Sequence, residues 1–342
     1  MTVRILCAAT IALAGAFGAA HADEVADFYK GRQITVVVGY GPGGGYDVYT
    51  RQLLRHMPRY IPGNPTMVVQ NMPGAGSLRA ANFVTNAAPK DGTTLVVMGA
   101  PASIEPLFGN KEAKFETLKL NWIGNMIRDT AACGTWHNSG IASLDQIINA
   151  RTDVVFGASG AGSYANQHSL ILKHMLGAKL RVITGFTGIK DIGLALERGE
   201  VQAACALALS TAKAAFDGNV KRGELKFLVQ FGKKDVAYFG GAPNFYKMIK
   251  SDEQIQIADL FFGQSEIARP LIGPPGMPPA IVAALTKAMA DAVADKAFLA
   301  EAAKSGLDIE FVSGAETAQS FADFYKTPPA VLKKAREIMG RP

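Results

Sequence analysis

The stretch ITVVVGYGPGGGYD, Ile34 to Asp47, decides how the rest of the chain is read. Ile34 to Val38 is an unbroken, β-branched apolar run, the pattern of a strand covered on both faces. A cluster of glycines follows: Gly39, Gly41, Gly43, Gly44 and Gly45. Then Tyr46, Tyr49, Leu53 and Met57 recur at helical spacing along one stripe. Strand, glycine turn and helix make half of a parallel β-α-β unit. Asp47 stands where it would cap the helix. The turn also offers backbone N–H groups at a helix N-terminus, which attract an anion by roughly 0.3–1 kcal/mol when exposed.

The same rhythm continues outward. Met67–Val69 predicts a second strand, Asn71–Ser77 a turn into a small-residue helix, and Leu95–Met98 a third strand. Such a series favours a parallel sheet with right-handed crossovers. After Trp122 a second unit begins. Val154–Phe156 leads through Ser159–Ser163 to a helix around Gln167–Met175, and Arg181–Ile183 leads through Gly185–Gly188 to a helix over Asp191–Arg198. Val201–Leu209 and Lys226–Val229 predict further buried strands. Gly240–Glu253 reads as irregular, Pro270–Ile272 as a strand, and a helical tail follows from Ala280. Four glycine-bearing strand-to-helix turns thus lie where the ends of parallel strands gather and ligands settle.

Rival readings of the glycines fail on residues. Gly39, Gly41 and Gly44 match G-x-G-x-x-G, but the second strand ends in Gln70-Asn71 with no carboxylate for a ribose. Pro42 also removes a donor from the loop. No Lys-Ser/Thr pair follows, so the turn is not a P-loop. Catalytic sets are weak. Ser163 and His168 fall on different faces of their helix, and His168 and His174 lack helical metal spacing. His56, His137, His168 and His174 read as surface or satisfied core residues, and Asp129 and Asp153 have no evident carboxylate partner.

With 342 residues, two domains are expected, and a net charge of +6 without basic runs argues against nucleic acid. Residues 1–22 read as an export signal: Arg4, an apolar stretch to Ala20, and cleavage after Ala20-His21-Ala22. Cys7 is too early to be a lipidation site. Cys133 and Cys205 remain in the exported chain. They could pair in an oxidising compartment or each be a small buried hydrophobe, and burial is the favoured reading.

At its turns the chain resembles the receptors of tripartite tricarboxylate transporters, the Bug family. The resemblance rests on Gly41-Pro42-Gly43-Gly44 with Asp47, on Asn71-Met72-Pro73-Gly74-Ala75-Gly76, on Ala88-Pro89-Lys90-Asp91-Gly92, and on Gly273-Pro274-Pro275-Gly276-Met277-Pro278. It implies an α/β chain of the type II periplasmic-binding-protein fold, two α/β domains with a hinge and an interdomain cleft. One domain would hold 23–125 plus 240–342, the other 126–239. The resemblance further implies a monomeric periplasmic receptor, not an enzyme, without cofactor or metal, that takes a small mono- or dicarboxylate to membrane permease subunits. A ligand-sensing role beside a signalling protein is the alternative, and an enzyme on the same fold a weaker one. Candidate ligand contacts are Tyr40, Gly41, Gly43, Gly44, Gly45, Tyr46, Asp47, Asn71, Gly76, Ala100 and Pro101 on the first domain. On the second they are Ser159, Gly160, Gly162, Ser163, Gly185, Phe186 and Thr187. Tyr46 stands where relatives often carry a small hydroxyl residue.

Overall fold

A computed structural model describes residues 24–341. The expected export signal lies outside them. Among the described residues, eleven strands form two sheets. In the first, β1 (Gln33–Val38), β2 (Thr66–Asn71) and β3 (Thr94–Val97) are parallel, β1 lying between the other two. β10 (Pro270–Gly273) runs antiparallel between β3 and β4 (Asn121–Asn125), and β11 (Val312–Ser313) closes the edge on β4. Alternation explains why these runs are apolar throughout. Ile34, Val36 and Val38 of β1 point into one core cluster and Val37 into another. β3 does the same, with Leu95 and Val97 on one side and Val96 on the other.

The second sheet runs β7 (Leu180–Thr184), β6 (Val154–Ala158), β8 (Ala203–Ala208), β5 (Ala131–Trp136), β9 (Leu225–Gln230). Strands β7, β6 and β8 are parallel, while β5 is antiparallel to both neighbours. The expected strands all form, one or two residues longer or shorter than their apolar cores. The tail from Pro279 is not one helix but several, Pro279–Ala294, Lys296–Lys304, Gly314–Phe324 and Pro329–Ile338. No helix among the described residues is long and apolar enough to cross a membrane.

The chain passes from the first sheet to the second through 126–130 and comes back through 265–269. These two segments run side by side. Met126 N–H donates to Arg269 O (3.3 Å), Ala268 N–H to Ile127 O (3.3 Å) and Asp129 N–H to Ser265 O (2.9 Å). Residues 136 to 143 apart in sequence thereby meet at the floor between the two lobes.

Cys133 and Cys205 form a disulfide, where separate burial was the favoured expectation. Both are fully buried as well. The reason is a bulge: Ala132 faces Leu207 and Gly134 faces Ala204, so Cys133 alone stands opposite Cys205 and Ala206. β9 also shifts register at this point. Ala206 carries the extra residue at φ 63°, a left-handed conformation that costs a non-glycine residue of order 1 kcal/mol.

Candidate ligand cleft

The ends of β1 and β6 face each other across a cavity of about 80 Å3 between the two lobes. On the first lobe the cavity is walled by Tyr40, Gly41, Gly44, Gly45 and Tyr46, and on the second by Ser159, Ser163, Tyr164 and Thr187.

The first turn is held from below. Gly43, at φ +74°, donates its N–H to Asp47 Oδ2 (2.8 Å). Asp47 also accepts from Arg51 Nε (3.0 Å) and Asn71 Nδ2 (2.9 Å), and the same Asn71 nitrogen reaches Tyr40 O (3.0 Å). Burial opposes the charge on Asp47, but the hydrogen bonds from Arg51, the Gly43 amide and Asn71 win and hold its carboxyl below the usual range. The expectation that Asp47 caps the helix is corrected. Gly44 is the cap of helix Gly45–His56 and supplies no side chain. Asp47 instead closes the loop on Gly43, leaving first-turn amides of that helix without intrahelical acceptors.

Tyr40 stacks on Tyr46 with ring centroids 4.4 Å apart. Burial raises both phenols, Tyr40 to about 12 and Tyr46 further, and raises Tyr164 likewise, so all three are neutral donors at pH 7. On the second lobe Ser163 caps helix Tyr164–Leu176: its Oγ accepts from Asn166 N–H (3.3 Å) and donates to Gly160 O (2.7 Å). Gly41 N–H donates to Thr187 O (2.8 Å), tying the first turn to the fourth.

Several candidates lie outside this wall. Asp47, Asn71 and Gly43 brace the first turn from beneath. Ala100 and Pro101 are buried in the short helix Ala100–Ser103. Gly76, Gly160 and Gly162 form a seam where the lobes touch backbone to backbone. A Cβ on Gly76 would lie 2.5 Å from Gly162 C, and one on Gly160 would lie 2.5 Å from Ala75 C. Phe186 packs on the core beside Gly157, and Gly185, at φ +115°, meets nothing nearby.

Sequence reading missed the floor. Arg269, 2 % exposed, donates through Nη2 to Ser210 Oγ (3.0 Å) and Thr211 Oγ1 (3.1 Å) and through Nη1 to Ala268 O (2.8 Å). Its guanidinium lies 4.4 Å over the Tyr46 ring, a cation–π contact. Asp129 faces it at 3.7 Å and accepts from Thr130 N–H (2.8 Å), Ser210 N–H (3.4 Å) and the Ser210 hydroxyl. Lys190 and Asp191 also reach the rim, so the cleft holds more charge than its glycine turns foretold. The one available signal was a lone Arg between Ala268 and an apolar strand.

His168 is not in this wall. It is fully buried among Tyr164, Phe231 and Phe262, and neither ring nitrogen has a hydrogen-bond partner. It is a core histidine, as expected, but not a satisfied one. Burial drives its pKa down to about 3. Because the folded value lies below the free value of 6.5, the unfolded chain binds the proton first as pH falls from 6.5 towards 3, and stability is lost over that window. His168→Phe, which fits an aromatic cage, should therefore gain about 2 kcal/mol relative to the parent between pH 7.5 and pH 5, from 1.4 kcal/mol per pH unit below 6.5. Denaturant melts at the two pH values measure this, and parallel losses in both proteins would refute it.

Against this geometry, the family model described as tripartite tricarboxylate transporter family receptor matches residues 50–337. The chain belongs to that family. Among curated relatives, a UPF0065 protein of Cupriavidus necator, named for the gbd 5' region, is 26% identical over 339 residues, 96% of this chain and 94% of that protein. A UPF0065 protein of Bordetella pertussis is 29% identical over 223 residues, and the match spans 64% of this chain and 65% of that protein's length. Among solved structures, the periplasmic binding protein BugD superposes with a TM-score of 0.73 at 18% identity, covering 91% of this receptor and 98% of BugD. MatC from Rhodopseudomonas palustris, solved with bound malate, gives 0.67 at 19% identity over 90% of this chain and 99% of MatC. An R. palustris protein solved with adipate gives 0.70 at 18% identity over 90% and 97%. At these identities the structures speak for the fold: the two-lobed α/β architecture is that of Bug-type periplasmic binding proteins.

Proposed function

We propose that this receptor is exported to the periplasm, with residues 1–22 removed, and closes as a monomer on a small mono- or dicarboxylate that it passes to a tripartite-type membrane permease. It acts by binding and not by catalysis, without cofactor, metal or nucleic acid. The lobes are divided by the two crossings, 126–130 and 265–269, and the stretch after 239 stays with the second sheet through Gln230 N–H to Pro243 O (3.0 Å). The single observation that carries the reading is the cavity between the strand ends of both lobes, walled by glycine turns at helix N-termini and by neutral hydroxyls. Such walls suit carboxylate oxygens. Tyr40, Gly41, Gly44, Gly45, Tyr46, Ser159, Ser163 and Thr187 make the contacts. The carboxylates bound by the malate and adipate proteins of like fold support the ligand class.

The test is thermal unfolding of the mature chain across a panel of aliphatic, hydroxylated and aromatic acids. A ligand at 100 times its dissociation constant adds ~2.7 kcal/mol to stability. The expected result is a raised midpoint with at least one acid, together with a smaller radius of gyration in solution scattering. A panel with no stabilising acid would overturn the reading.

A further inference from the structure

We propose that Arg269, with Tyr46 as companion donor, is the anchor for one carboxylate of the ligand, so that this receptor fixes its solute by a direct ion pair at the floor of the cleft. The inference rests on the carboxylate reading above and adds the group that would select the charge.

Three observations carry it. The first is the pattern of donors on the guanidinium. Nη1 and Nη2 have the partners given above, but Nε has none, although the side chain is buried. The second is its neighbour. Tyr46 Oη is likewise buried without a partner, and the guanidinium lies 4.4 Å over the Tyr46 ring. Both groups are buried and unpaired in residues that line the same cavity, so an acceptor that enters and displaces the atoms covering them meets one charged and one neutral donor. A buried donor left unmade is costly, whereas a charge-assisted hydrogen bond is among the stronger ones. The third is Asp129. At 3.7 Å it balances the charge without a hydrogen bond to Arg269, because its oxygens are turned to Ser210 and Thr130. The counter-ion balances the buried guanidinium without taking Nε, which stays unpaired. Ser210 and Thr211 start helix Leu209–Lys221 and hold Nη2, so the cation is positioned from both lobes.

Calorimetry with succinate, malate and adipate against their mono- and diamides tests the idea on the mature chain. The readout is the acid-over-amide preference, which a general loss of packing would not move. In the parent protein this preference should be on the order of 10- to 100-fold. Arg269→Gln should abolish it, and Tyr46→Phe, which keeps the ring, should reduce it several-fold. If Arg269→Gln does not fold, Arg269→Lys replaces it: a point charge on a flexible stem should weaken acid binding about tenfold. An undiminished preference in Arg269→Gln overturns the anchor and leaves the carboxylate reading standing. Where Arg269→Lys has to serve, unchanged acid affinity in it and in Tyr46→Phe does the same. A parent protein that binds none of the acids overturns both.

Discussion

Replacing Gly160 by alanine is expected to cost ligand affinity about 5- to 150-fold while leaving both lobes folded. Gly160 has φ +153° and sits where the third turn meets the second, a methyl group there lying 2.5 Å from Ala75 C and 2.6 Å from Gly76 N. Both are backbone atoms, which cannot swing aside as a side-chain end can. Gly76, at φ +66°, presents the reciprocal problem, its Cβ landing 2.5 Å from Gly162 C and 2.6 Å from Ser163 N. Carbon atoms settle at about 3.5–4.0 Å, so either methyl would prop the lobes apart by about 1 Å. The effect divides into two parts with separate readouts. Backbone strain acts in the open and closed forms alike and lowers the unfolding midpoint. The clash acts only on closure, and overpacking of this kind costs about 1–3 kcal/mol, which is roughly 5- to 150-fold in affinity. Calorimetry with an acid that raises the parent protein's unfolding midpoint reads the second part, and melting without ligand the first. Equal affinity in Gly160→Ala and Gly76→Ala would mean that capture does not need this seam.

The second large effect concerns the disulfide. Cys133 and Cys205 are 72 residues apart, and closing a loop of that length stabilises by about 4 kcal/mol in the chain-entropy account. Reduction should lower the unfolding midpoint by about 6 °C, from about 1.5 °C per kcal/mol at an unfolding entropy of about 2.1 cal/mol/K per residue. The double variant Cys133→Ala/Cys205→Ala should melt at the reduced protein's temperature and be indifferent to reductant. A parent protein whose melt ignores reductant under conditions that titrate both thiols would remove the bridge from the stability account.

Much of the fold is legible along the sequence because local rules decide it. Ile34–Val38 and Leu95–Val97 declare strands covered on both faces, and the glycines after them declare turns. β5 is harder. Its Ala131-Ala132-Cys133-Gly134-Thr135-Trp136 has small and polar residues at its centre and becomes a strand by pairing with β8 and β9. The upper walls of the cleft were equally legible, since a turn advertises itself locally. The floor was not. Arg269, Asp129 and Thr211 come together only because 126–130 lies against 265–269, and no spacing along the chain encodes that pairing. The disulfide escaped for the same reason.

The bulge at Ala206 acts as a phase shifter for the cleft wall. Side chains along a strand alternate with period two, so a single inserted residue decides which face every later residue of β8 presents. With it, Ala206, Ala208 and Thr211 line the cleft, and Thr211 reaches Arg269. Remove that residue and Leu207 takes the place of Ala206 and Leu209 that of Ala208, while the helix behind them starts about a quarter of a turn out of step. A change in chain length of one residue, with no change in fold and no new functional group, is thus enough to hand the same cleft a different wall and a different solute.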